Sequence, residues 1–130
     1  MNLKSLVPTH KSDTDAVQRA RSAGYPAIEP ILGDLLEWMQ DMNWPVAGDI
    51  EELLAPIGAP LSPYVLKVLQ GGDDIWKYWI LSRLAVNFDR EARQPIIDEC
   101  IRIVNHPTDG ELAEEVNLAA GDILILDAHD

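Results

Sequence analysis

Cysteine is nearly missing from this sequence: the single residue Cys100 excludes an internal disulfide and fits a reducing compartment. Long apolar runs are missing too. Ile123-Leu124-Ile125-Leu126 is far shorter than the roughly twenty residues a membrane helix needs. Met1 to His10 holds one lysine and no apolar core of signal-peptide length, which predicts a cytoplasmic protein without membrane contact. There is no Gly/Ser linker, no low-complexity run and no sustained alternation of the kind a half-buried strand shows.

Bases are scarce where acids are dense. The 130 residues carry ten Lys and Arg against 22 Asp and Glu, a formal charge of −12. From Ser22 to Leu66 there are seven acids and no base, and from Ile103 onward another seven stand alone. Such a field repels phosphate backbones and anionic lipid, and it speeds encounter with basic proteins. It predicts no direct nucleic-acid binding. Solubility is the plainer use of the same charge.

What is present reads as helices separated by caps and breakers. Ser12-Asp13-Thr14-Asp15 is a capping sequence for a helix with Ala16, Val17 and Ala20 inward, ending at Gly24. Pro26 opens a second helix, with Ile28, Ile31, Leu32, Leu35, Leu36 and Met39 on one face. Asn43 caps a third, started by Pro45 and stopped by Gly58. Ser62-Pro63 begins a fourth that ends at Gly71-Gly72. Asp73 or Asp74 caps the next, with Ile75, Trp79, Ile80 and Leu84 as its inward stripe. A helix from about Glu91 buries Ile96, Ile97, Cys100, Ile101 and Val104. Thr108 and Glu111, at capping-box spacing, start a last one carrying Leu112, Val116, Ala119, Ala120 and Ile123.

The expected fold is therefore all-α, one domain over 1–130. Residues 1–11 read as an N-terminal extension and 127–130 as a frayed tail. Asp41-Met42-Asn43-Trp44 and Asp73-Asp74-Ile75-Trp76 lie thirty-two positions apart, which suggests about three helix pairs stacked as an αα repeat after an N-terminal helix. Gly24-Tyr25-Pro26-Ala27-Ile28-Glu29-Pro30, Leu36 through Ala47, Gly58-Ala59-Pro60-Leu61 and Asp73 through Trp79 together resemble a small bacterial HEAT-like family of unknown function. The resemblance spans about Leu6 to Ala120. It implies a short helical solenoid and transfers no catalytic residue.

Candidate sites are few. Glu51-Glu52, Asp73-Asp74, Asp98-Glu99 and Glu114-Glu115 are adjacent pairs, which on a helix point about 100° apart and do not converge as an acid/base dyad. His10, His106 and His129 are too scattered for a metal motif, and Cys100 is in phase with core positions. No cofactor or metal is expected. The unusual feature is tryptophan beside acid. If repeat turns align along one edge of the stack, Trp44 and Trp76 become neighbours, with Asp41, Asn43, Glu51, Glu52, Asp73 and Asp74 around them. Such an edge suits a partner presenting Lys or Arg. Tryptophans wedging adjacent helices, with aspartates as caps, explain the same residues. Trp79 reads as core.

These features predict a non-enzymatic module binding a basic protein, in its sharpest form an immunity or antitoxin-like protein masking a basic bacterial toxin. Two rivals remain: an enzyme or small-molecule sensor using a groove between helix pairs, and a scaffold that homodimerises through its tryptophans. The expected state is a monomer or weak homodimer.

Overall fold

Side-chain caps set where this chain becomes helical. In the computed structural model, which describes residues 2–130, the Asp13 carboxylate accepts from the Ala16 N–H ahead of α1 (Thr14–Ala23). Asp73 accepts from Trp76 ahead of α5 (Asp74–Trp79), and Asp89 from Ala92 ahead of α6 (Arg90–Asn105). Each bond satisfies a donor that a helix start otherwise leaves open. Thr108 and Glu111 close the expected capping box on α7 (Asp109–Ala113). The other helices are α2 (Leu32–Leu36), α3 (Pro45–Leu54), α4 (Ser62–Leu69) and α8 (Val116–Ala128). Among the described residues the fold is all-α, with no strand. No helix among the described residues is long and apolar enough to cross a membrane.

Prolines shift two of the expected starts. Pro26 lies in a turn, where Ile28 N–H bonds to Gly24 and Glu29 N–H to Pro26. Pro30 has no N–H for the Pro26 carbonyl, so a helix beginning at Pro26 lacks its first bond. Helical structure starts instead at Glu29, as a short 3₁₀ turn over Glu29–Ile31 that leads into α2. Asn43 does not cap α3. Pro45 disfavours helical backbone in the residue before it, so Trp44, at ψ 138°, becomes the N-cap.

The helices pack against one another pairwise. α2 meets α4 and α4 meets α6, while α3 meets the segment Ile80–Leu84, which with α5 meets α8. α1 lies on α3, and α6 and α8 pack along one another. One continuous apolar core joins them, from Leu6 near the N-terminus to Ile123 in α8.

Expected inward positions on three helices are corrected. In α5 Ile75 is 50% exposed and Trp79 half-buried, while Lys77 is only 3% exposed. The buried face is Lys77, Ile80, Leu81 and Leu84, a regular three-and-four spacing in which a lysine occupies one inward place. Trp79 packs edge-on to Tyr78. In α6 the inward set is Ala92, Ile96, Cys100 and Ile103, leaving Ile101 and Val104 exposed. In α7 Leu112 is exposed and Glu111 buried.

Glu111 explains both misplacements around it. Its carboxylate lies 3.0 Å from Lys77 Nζ and accepts two bonds from Arg102, Nη1 at 2.8 Å and Nη2 at 2.7 Å. Thr108 N–H donates a further bond, and Lys77 also reaches Asp74 at 3.1 Å. Arg102 is in turn held by Glu99 at 2.8 Å. Glu111 must face inward, and so must Val116, Ala119, Ala120 and Ile123. In an unbroken helix, positions 111 and 116 point about 140° apart. The chain resolves the conflict at Glu115, whose left-handed backbone (φ 60°) separates α7 from α8. A glycine completes the arrangement, because a Cβ on Gly110 would lie 2.2 Å from Asp74 Oδ2.

Arg102, above all, holds the Glu111 carboxyl down at about 2, against an ordinary value of 4.5. A carboxylate depressed on folding stabilises fully above its unfolded pKa and ceases to as pH falls through its folded one. At pH 7, Glu111→Ala should cost roughly 3–5 kcal/mol in urea denaturation, the usual result of breaking a buried pair and stranding its cation, here Lys77. The gap between wild type and variant should close as pH falls from 4.5 toward 2. A gap unchanged at the acid end would show that the ion pairs contribute nothing to it.

Candidate functional site

A groove of about 410 Å³ opens where α2, α4 and the start of α5 come together. Its walls are Gly33, Asp34, Leu36 and Glu37 from the α2 region, Tyr64, Lys67 and Val68 from α4, and Gly71, Gly72, Asp73 and Trp76 from the turn into α5. Each wall has a local cause. Gly33 admits the Tyr64 ring against α2: a Cβ there would stand 3.2 Å from Tyr64 Cδ1. Gly71 and Gly72 end α4 without side chains to fill the mouth. Asp73 fixes the first turn of α5 by accepting from the Trp76 N–H at 3.0 Å, which places the indole on the wall.

The groove is aromatic in its walls and acidic at its rim. Tyr64 and Trp76 are half-buried, while Asp34, Glu37 and Asp73 are exposed and form no ion pair among the described residues. Lys67 is the one base in the lining. The Trp76 indole N–H is buried without a protein acceptor, a state that costs about 1–3 kcal/mol.

Of the residues expected at a binding edge, Asp73 and Trp76 line this groove, and the rest lie elsewhere. Trp44 packs on Trp38, with ring centroids 5.5 Å apart at 57°, rather than beside Trp76. Asp41 accepts from the Asn43 N–H at 2.8 Å in the preceding turn, and the Asn43 side chain is exposed. Glu51 pairs with Arg83 at 3.4 Å and Glu52 with Arg21 at 3.5 Å. Asp74 turns inward to Lys77. Sequence reasoning missed Asp34, Glu37, Tyr64 and Lys67. One signal was available: Gly33 interrupts an otherwise apolar helical stripe, which marks a close approach by a neighbour.

Other reactive groups are engaged. Burial pushes the Cys100 thiol up to about 12, so it stays protonated and inert near neutrality. Glu111, the buried carboxylate, is saturated by Arg102, Lys77 and Thr108. Among the described residues no group of three or more His, Cys, Asp or Glu is placed to hold a metal ion.

An all-α domain with an aromatic-walled, acid-rimmed groove is thus the class of protein in hand. The chain belongs to the family described as a domain of unknown function (DUF5071), whose model matches residues 6–124. No curated protein matches it.

Gly33→Val should force the Tyr64 ring out of place and cost about 1–3 kcal/mol, as overpacking does. Urea denaturation together with the Tyr64 ring-proton shifts checks this. Unchanged ring shifts would mean that Gly33 does not seat Tyr64.

Proposed function

We propose that this chain is a non-enzymatic, cytoplasmic module that binds a basic protein, and in its sharpest form an immunity protein that masks a basic bacterial toxin. The carrying observation is the groove: three carboxylates without ionic partners among the described residues stand beside two aromatic side chains. Unpaired surface acids keep their charge available to a partner, and aromatic walls supply contact area at low entropic cost. The net charge of −12 adds long-range steering toward cations. A toxin that attacks nucleic acid carries an electropositive cleft, and an acidic protein seated there blocks it by charge and bulk together.

The same reading takes the helices as a short HEAT-like array of two rows, with α2, α4 and α6 in one row and α3, the segment from α5 to Leu84, and α8 in the other. Neighbour contacts within each row support it. So does the groove, which lies where successive pairs meet, as binding surfaces of such arrays do. The thirty-two-residue repeat supports it less, because Trp44 is the N-cap of its helix whereas Trp76 lies inside the first turn of its own.

The second reading, a small-molecule sensor, is favoured by volume: about 410 Å³ falls within the usual range for ligand pockets.

Tagged chain used as bait in a lysate of its own organism, at low and moderate salt, separates the two. We expect one basic protein, retained at low salt, reduced by salt and lost with Trp76→Ala, while Trp44→Ala leaves capture intact. The captured protein, expressed alone, should arrest growth, and co-expression of this chain should restore it. Capture indifferent to salt and to Trp76 would discard the reading, and thermal stabilisation by a metabolite would then favour the sensor.

A further inference from the structure

We propose that the groove between α2, α4 and α5 receives one arginine side chain of the protein partner, its guanidinium lying against Trp76 and Tyr64 and paired to the rim carboxylates. This rests on the basic-partner reading above and names the group that is recognised.

The rim determines the sign of the ligand. Asp34, Glu37 and Asp73 face one base, Lys67, so the lining carries a net negative charge. None of the three acids forms an ion pair among the described residues, although Arg21, Arg83, Arg93 and Arg102 all pair with acids elsewhere. Asp73 spends one oxygen on its cap to Trp76 and keeps the other. The acids also stand on different walls, Asp34 and Glu37 in the α2 region and Asp73 ahead of α5.

The walls determine which cation. A lysine ammonium is compact and strongly hydrated, and it gives up water reluctantly to enter a groove lined by Leu36, Val68, Tyr64 and Trp76. A guanidinium is planar and more weakly hydrated. It stacks on an aromatic face while its edge donates up to five hydrogen bonds in that plane. One flat group can therefore lie against the indole and reach carboxylates on two walls at once. The Oε and Oδ atoms accept and the guanidinium N–H groups donate, as in other arginine–carboxylate forks.

Lys67 supplies a diagnostic of opposite sign. It repels an entering cation, so removing its charge should tighten binding of arginine and weaken binding of any anion.

The test is a titration of the intact chain with N-acetyl-arginine methylamide, followed on the indole N–H resonance of Trp76, assigned with Trp76→Phe. N-acetyl-lysine methylamide and N-acetyl-citrulline methylamide are the comparison probes, citrulline being nearly isosteric and uncharged. We expect a saturable shift with arginine, a several-fold weaker one with lysine and none with citrulline. Asp34→Asn and Glu37→Gln should each weaken arginine binding by roughly two- to fivefold, the usual span for exposed charge pairs. Lys67→Met should strengthen it. These three variants alter exposed side chains, so an unchanged urea midpoint will show that the fold is intact.

Equal response to arginine and lysine overturns the arginine assignment, as does an equal response to citrulline. No response to any of the probes, or weaker binding in Lys67→Met, overturns the groove as a cation site. The bait experiment reads the broader proposal separately. Salt-sensitive capture surviving Asp34→Asn/Glu37→Gln would keep a basic partner and move its contact off this groove.

Discussion

Glu111 is fully buried, and a bare carboxylate there would not stay ionised, because removing its water costs far more than a fold can spare. It remains charged because Arg102 takes both its oxygens from α6 and Lys77 approaches from α5, with Thr108 N–H closing the set. Three helices are therefore tied through one side chain. Much else follows from that tie. Lys77 fixes the rotation of α5 about its axis, which turns Ile75 outward and carries Trp76 to the groove wall. The inward pull on Glu111 also requires the break at Glu115, and hence separate helices α7 and α8.

Apart from Glu111, the groove depends on small residues. Gly33 lets α4 bring Tyr64 against α2, and Gly71 with Gly72 keeps the mouth between α4 and α5 open. Neither feature stabilises anything by itself. Both leave a concavity that larger side chains would have filled, beside a tryptophan whose N–H goes without a protein acceptor.

The all-helical class and most helix ends were legible, because a cap is a local signal. Asp13, Asp73 and the Thr108–Glu111 box each act within three residues of themselves. Phase was legible only where hydropathy decides it, as for Leu32, Leu35, Leu36 and Met39. It failed at Lys77 and Glu111, since a pattern that counts apolar residues reads both as solvent-facing. Lys77 is tolerable inside because of Glu111, thirty-four residues away, and Glu111 because of Arg102, nine residues back on another helix, together with Lys77. The groove was out of reach for a similar reason: its walls come from three elements, and no spacing in the chain links Asp34 to Trp76. Even the tryptophan pairing was local, Trp44 meeting Trp38 six positions back, where the repeat suggested Trp76.

The acids thus divide into two populations with different physics. Asp74, Glu99 and Glu111 are wholly or largely buried and paired with cations at about 3 Å, where mobile ions scarcely reach them. Asp34, Glu37 and Asp73 stand in water, with their fields open to partners and to screening. Salt consequently acts on the second group and largely spares the first. If the rim binds a basic partner as proposed, salt would weaken that contact while sparing the buried pairs that hold the fold. A chain at −12 repels itself, and lowering that charge at the rim would relieve the repulsion. Asp73 spends part of its carboxylate on the α5 cap, whereas Asp34 and Glu37 form no ion pair among the described residues and leave their charge open to the solvent.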